Sequence, residues 1–266
     1  MAHVAIIETG LWDVPKKWNY PGRKRRKIYA KNLPYTISGY CVVVKDKKLG
    51  NILFDTGFAN DWQTSWPEVF KKTYTIKSMV PLQEGLKKAG LSIDDIDVRI
   101  CSHLHYDHVG NVKLFRNTKA GRQIIISRAE AAEAFIKTAC SPSGISGAYC
   151  RKEFVMDGIG YKLLDEDAWI SDDVHLCIQR GHTPGVIGLI VKTDENGYLF
   201  FPSDAIYSRK NYGPPVVYPG LCVDHDSYQA NIERLRGLQD TYKARLFFSH
   251  EVDDFKTYNK APQWYL

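Results

Sequence analysis

Short runs of apolar, β-branched residues recur along the chain, at positions 4–7, 40–44, 51–54, 98–101, 123–126, 174–178, 186–191, 198–201 and 245–248. Each is bounded by Gly, Asp, Asn or Lys, the pattern of strands separated by turns. Helical spacing fills several of the intervals. Residues 79–89 carry Val80, Leu82, Leu86 and Ala89 and stop at Gly90, a residue suited to the left-handed position beyond a helix. Ser127-Arg-Ala-Glu130 has the form of a capping box ahead of an Ala-rich run to Lys137. Asp226 precedes a further run containing Ile232, Leu235 and Leu238. Strands followed by single helices over the whole length predict an α/β or mixed α+β chain, taken as one domain over residues 1–266. Two stretches read as loops. One is 12–34, broken by Pro15, Pro21, Gly22 and Pro34; the other is 138–160, rich in Ser, Gly and Cys, which reads as an insertion.

Composition narrows the class. With 44% hydrophobic and 25% charged residues in 266, the chain has the material for a sizeable core, which excludes a disordered, collagen-like or disulfide-stapled protein. The N-terminal MAHVAIIETG lacks a cationic stretch followed by an apolar run, and no segment approaches the roughly 18–20 apolar residues of a membrane span. Six scattered cysteines, with no C-x-x-C pair, then predict reduced thiols and a cytoplasmic, membrane-free protein.

The chemistry concentrates in Cys101-Ser-His103-Leu-His105-Tyr-Asp107-His108-Val-Gly110-Asn111, directly after a predicted strand. Three histidines and an aspartate within six residues are not a core pattern. On a helix they would diverge, whereas in a loop leaving a strand end they can converge. Imidazole and carboxylate are the usual ligands of zinc and related first-row ions. Further candidates also stand at predicted strand ends: His182 in Gly181-His-Thr-Pro-Gly185, Asp204 in Phe200-Phe-Pro-Ser-Asp204, and His250 in Phe247-Phe-Ser-His250. His3, His175 and His225 fall outside these loops and are assigned no site role.

This set of motifs resembles the metallo-β-lactamase superfamily over essentially the whole chain. The resemblance implies an αββα sandwich, an α+β fold of two mixed sheets flanked by helices, with the site along one edge. It implies that His103, His105 and His182 hold one divalent ion, that Asp107, His108 and His250 hold a second, and that Asp204 bridges them. The ions would be zinc, with iron, cobalt or manganese as alternatives. Asp55, in Phe54-Asp-Thr-Gly57, matches the superfamily aspartate that orients a ligand imidazole from behind. Such a pair of ions makes hydroxide available near neutral pH, so the reaction class is hydrolysis. Tyr106 stands at the position after His105, so the flavodiiron pattern, with Glu at position 105, is absent.

Within the superfamily the chain looks most like the N-acyl homoserine lactonase group, including its 4-pyridoxolactone-hydrolysing members. The spacings of 22 positions from His182 to Asp204 and 46 from Asp204 to His250 are close to that pattern, and Tyr207 follows Asp204 by three. The resemblance implies a small-molecule lactone substrate opened by a metal-bridging hydroxide, as in quorum quenching. Tyr207 would take up the oxyanion, Asp107 would pass a proton to the leaving alkoxide, and Tyr106 would line the substrate pocket. A homodimer is left open. Two departures bear on loop shape: Val109-Gly-Asn111 where the family commonly has two glycines, and Val186 where a histidine often closes the G-H-T-P-G loop. The alternatives are a thioester hydrolase resembling glyoxalase II, disfavoured because little chain follows His250 to supply a basic helical extension, and a phosphodiesterase or nuclease of the same superfamily.

Charge bears on that last alternative. Lys and Arg number 36 against 30 Asp and Glu, a net +6. Nine of the basic residues (Lys16, Lys17, Arg23, Lys24, Arg25, Arg26, Lys27, Lys31 and Lys45) fall within positions 14–45, where there is no Asp or Glu. Without those nine, 27 basic residues face 30 acidic ones. One basic segment on a slightly acidic body argues against a nucleic-acid surface and, if it lies over the cleft, favours a carboxylate-bearing substrate.

Overall fold

A computed structural model describes residues 1–18 and 33–266. Every predicted strand is present, and two are far longer than their apolar runs. Strand β1 covers His3–Pro15 and β2 covers Pro34–Asp46, paired antiparallel from His3–Lys45 to Pro15–Pro34, with a bulge between Glu8 and Gly10. The loop expected from position 12 is therefore strand as far as Pro15, with a 3-10 turn at Lys16–Trp18. Pro15 and Pro34 terminate the ladder, the place in a sheet where a residue without an N–H is tolerated. The rest of the expected basic loop, from Arg23 to Lys31, lies outside the described residues.

Strands β3 (Gly50–Phe54), β4 (Thr75–Met79), β5 (Val98–Ile100) and β6 (Ile124–Ser127) join the first sheet. A hairpin of β7 (Ile145–Ser146) and β8 (Tyr149–Cys150) stands apart, and β9 (Tyr161–Leu164) completes that sheet in the order β4-β1-β2-β3-β5-β6-β9. The second sheet runs sequentially through β10 (Ala168–Trp169), β11 (Val174–Gln179), β12 (Val186–Lys192), β13 (Tyr198–Phe201) and β14 (Arg245–Leu246). Both sheets mix parallel and antiparallel pairs.

Alternation along the strands builds four layers. Val4, Ile6, Val42, Val44 and Ile52 face Leu176, Leu189, Val191 and Phe201 between the sheets. The intervening Ile7, Cys41, Val43 and Leu53 meet Leu82, Leu86 and Phe115 on one outer face. Cys177, Ile190 and Phe200 meet Tyr228, Ile232 and Leu235 on the other. A strand covered on both faces must be apolar at consecutive positions, which is why these strands read as unbroken runs. The result is the expected αββα sandwich.

The helices differ from expectation at their ends. The first long candidate is helical only over Leu82–Lys88, because Pro81 opens it and Met79 belongs to β4; Gly90 takes the expected positive φ, 75°. The helix His225–Tyr242 begins two residues earlier than expected, since Asp224 rather than Asp226 caps it through the N–H groups of Asp226 and Ser227. Ser127 caps Arg128–Ala139 as expected. Residues 138–160 are not a bare loop: they hold the β7–β8 hairpin and the helix Arg151–Phe154, and bury Tyr149, Cys150, Glu153 and Phe154. All six cysteines are free, and among the described residues no helix is long and apolar enough to cross a membrane.

Candidate metal centre

Five strands end at one edge of the sandwich, and each delivers a residue there. After β5 the chain passes through Ser102 and His103 to His105, then into the one-turn helix Tyr106–Val109 that carries Asp107 and His108. The loop after β11 brings His182, the 3-10 turn Ser203–Ala205 after β13 brings Asp204, and the segment after β14 brings His250. Asp55 follows β3 and has a positive φ of 63°, a strained conformation for a residue other than glycine. All seven expected ligands and Asp55 are thus brought together, and every one is buried or nearly so.

The ligand atoms fall into two groups, each within 4.8 Å: His103, His105, His182 and Asp204, and Asp107, His108 and His250. In the first group His103 Nε2 lies 3.1 Å from His105 Nδ1 and 3.3 Å from His182 Nε2, and the latter two are 3.1 Å apart. Asp204 faces both groups. Its Oδ2 is 3.6 Å from His103 Nε2 and from His182 Nε2, while Oδ1 is 3.3 Å from His108 Nε2 and 3.1 Å from His250 Nε2. Asp107 Oδ2 approaches His250 Nε2 at 3.8 Å.

Hydrogen bonds on the far sides of the rings aim the inner nitrogens. His182 Nδ1 is 2.9 Å from the Leu221 carbonyl, His250 Nδ1 is 2.8 Å from the Ser38 carbonyl, and His108 Nδ1 is 2.8 Å from Asp55 Oδ2. These acceptors make each Nδ1 the protonated nitrogen and leave the Nε2 lone pair pointing inward. Ser102 completes the support. Its N–H and hydroxyl each donate to Asp55 at 2.7 Å, and its oxygen lies 3.0 Å from His103 Nδ1. His103 Nε2 and His182 Nε2, both turned inward as lone pairs 3.3 Å apart, cannot satisfy each other, and His108 Nε2 and Asp204 Oδ1 are buried without a hydrogen-bond partner. A nitrogen-and-carboxylate set of this kind fits a pair of divalent cations.

The electrostatics agree. Burial, reinforced by neighbouring imidazoles, holds His103 and His105 well below the usual histidine range, and burial likewise lowers His182. Burial also pulls His108 and His250 down, yet the carboxylates around them, Asp204 foremost, raise both. Burial alone would raise Asp204, but His250 and His108 bring it well below the carboxylate range. The pocket therefore draws positive charge toward Asp204.

Tyr207 and Tyr106 reach the same cavity, which Trp18, Tyr74 and Leu221 also line. The Tyr207 hydroxyl is 3.0 Å from His182 Nδ1. The Tyr106 ring stacks on Tyr74 with centroids 4.2 Å apart, and its oxygen accepts from Trp12 Nε1 at 3.2 Å, so it belongs to an aromatic cluster as well as to the wall. The departure at Asn111 has a use: its side chain donates to the Thr56 and Phe58 carbonyls and accepts from Asn60, fastening the Asp55 loop. His3 lies at the start of β1, His175 stacks on Trp169, and His225 stacks on Tyr218, all apart from the site. Tyr149, in the stretch expected to be a loop, packs on the His105 ring at 4.6 Å and had no local signal to mark it.

Comparison with known proteins agrees with this geometry. Residues 35–250 match the metallo-beta-lactamase superfamily domain. The N-acyl homoserine lactonase AiiA of Bacillus thuringiensis subsp. kurstaki is 27% identical over 240 residues, covering 88% of this chain and 87% of the relative. The N-acyl homoserine lactonase AiiB of Agrobacterium fabrum is 27% identical over 237 residues, 85% of this chain and 83% of that one. Among solved structures, an N-acyl homoserine lactone hydrolase with N-hexanoyl-L-homoserine at its catalytic metal centre superposes with a TM-score of 0.81 at 23% identity, over 99% of this chain and 98% of that chain. The dizinc quorum-quenching lactonase AidC gives 0.68 at 23% identity, over 94% and 87%. By its domain match, its sandwich and its edge of histidines and aspartates, the chain belongs to the metallo-beta-lactamase superfamily.

Proposed function

We propose that this chain is a dinuclear metal-dependent lactonase that opens the ring of an N-acyl homoserine lactone, with residues 1–266 acting as one unit. The observation that carries the reading is the convergence of seven buried ligand groups on two adjacent points, with Asp204 turned toward both. His103, His105 and His182 would hold one ion, Asp107, His108 and His250 the other, and Asp204 would be shared. Two divalent ions, zinc for this donor set, would supply a nucleophilic hydroxide near neutral pH and Lewis acidity toward the lactone carbonyl.

The remaining chemistry belongs to the chain. His182 Nδ1–H points at the Leu221 carbonyl and the Tyr207 oxygen, so the phenol accepts on that side and its own proton is free to donate into the cavity. A donor fixed there stabilises an oxyanion as it develops. Asp107 lines the cavity wall and would pass a proton to the departing alkoxide. Tyr106 and Tyr74 form an apolar wall for the substrate. The lactonases among the relatives support a lactone over a thioester or phosphodiester.

The test is acid release, followed by pH-stat, from the metal-loaded protein against homoserine lactones of varied acyl length, S-lactoylglutathione and a phosphodiester. Turnover of lactone is expected. Hydrolysis of thioesters or phosphodiesters without lactone turnover would refute the substrate class. Full activity in His105→Ala and Asp204→Asn would refute the metal mechanism.

A further inference from the structure

Asp55 supports His108 directly and reaches His103 through Ser102. The backbone between His103 and His105 has a second carboxylate behind it. Glu130 has no solvent exposure, although it sits at the third position of a helix, where a capping box would turn its side chain back to the cap residue. Only half of that box forms: the Ser127 hydroxyl accepts from the Glu130 N–H at 3.1 Å. The Glu130 side chain instead leaves the helix and accepts from the Leu104 N–H at 3.0 Å, between His103 and His105.

Two more groups meet this carboxylate. The hydroxyls of Thr183, which follows His182, and of Tyr149 stand near enough to favour its charged form, against the burial that raises its pKa, while Oε2 is buried with no hydrogen-bond partner of its own. Tyr149 in turn forms an isolated β-bridge with His105 and packs its ring on the imidazole. The loop bearing His182 is drawn to the same helix end, since the Ser127 hydroxyl donates to the Gly185 carbonyl at 2.5 Å. A Cβ at Gly185 would lie 2.1 Å from Ser127 Oγ and 3.0 Å from Glu130 N, so this approach requires glycine.

We infer that Glu130 is a positioning residue for the three-imidazole half of the centre, joining the His103–His105 loop, the His182 loop and Tyr149 through one buried carboxylate. The inference rests on the metal-centre reading above. A carboxylate that fixes ligand loops from behind affects affinity for the ion those loops hold and leaves the neighbouring ion less affected.

Zinc binding to the full chain, measured by competition with a chromophoric chelator, resolves the two sites. His105→Ala identifies which binding step belongs to the three imidazoles. Glu130→Ala is expected to weaken that step by about 10- to 100-fold and to leave the step lost in His250→Ala within a few-fold of its original affinity. Glu130→Gln, which keeps an oxygen for the Leu104 N–H but presents N–H groups to Thr183 and Tyr149, is expected to fall between. If Glu130→Ala does not fold, the Gln variant decides by the same measure. Unchanged affinities at both steps, or equal weakening of both, would overturn the positioning role. Failure of the parent chain to bind zinc at all would instead overturn the metal-centre reading.

Discussion

Glu153 offers a quantitative check on the segment that the sequence presents as a loop. Its helix, Arg151–Phe154, packs against Val112–Phe115, and the carboxyl is 4% exposed with Oε1 lacking any hydrogen-bond partner. Burial raises its pKa from 4.5 to about 7, against the opposing pull of Lys113 and Lys152. The folded state therefore keeps a proton that the unfolded chain has lost between about pH 4.5 and 7, and stability falls as pH rises through that window. At about 1.4 kcal/mol per pH unit, the loss amounts to about 3 kcal/mol and is complete above pH 7. Glu153→Gln has no such titration. Urea unfolding of parent and variant at half-unit intervals from pH 5 to 8 isolates the effect, because the difference between them cancels the titration of the histidines. The variant is expected to gain about 2 to 3 kcal/mol on the parent across that range. A difference that is flat with pH, or that changes in the opposite sense, would refute the assignment of a buried carboxyl with an unpartnered oxygen.

Two further outcomes follow from side chains already described. Tyr207→Phe removes the proposed oxyanion donor while the Leu221 carbonyl still holds the His182 ring, so kcat should fall by about 100-fold with two metal ions retained on elemental analysis; unchanged kcat would remove Tyr207 from the chemistry. Arg99 is fully buried with Nε and Nη1 unpartnered, its guanidinium set against the Phe115 ring at 4.4 Å and the Cys101 sulfur at 3.5 Å. Arg99→Met should raise unfolding stability by about 1 to 3 kcal/mol in urea, and a comparable loss would show that the guanidinium has a stabilising partner.

The sequence disclosed those parts of the molecule whose cause is local. Strands buried on both faces declare themselves as apolar runs, and ligands packed into His103-Leu-His105-Tyr-Asp107-His108 declare themselves by density. Asp55 is placed only by the resemblance to the superfamily, since by itself Asp-Thr-Gly reads as a turn and its partner His108 lies 53 positions away. What stayed hidden depends on partners distant in the chain. Trp12 and Val14 lie in a strand only because Ile37 and Tyr35 pair with them across the ladder, so prolines at the ladder's end passed for loop punctuation. Tyr149 belongs to a hairpin of two-residue strands that has no periodicity to read; its order comes from its bridge and ring contact with His105, 44 positions away. Glu130 itself looked like a helix cap, because its residue type and position satisfy that rule while its side chain serves another loop.

The bond between His250 Nδ1 and the Ser38 carbonyl spans 212 positions of sequence, and the rings of His182 and His103 meet across 79. Loop closure over such distances is slow and comes late in folding. During synthesis the centre cannot be completed until β14 has left the ribosome and paired with β13, and His250 after it has reached the Ser38 carbonyl of β2, so a partly made chain lacks the full set of candidate ligands. Metal capture at the proposed centre would thus report that the middle and last thirds of the chain have found each other.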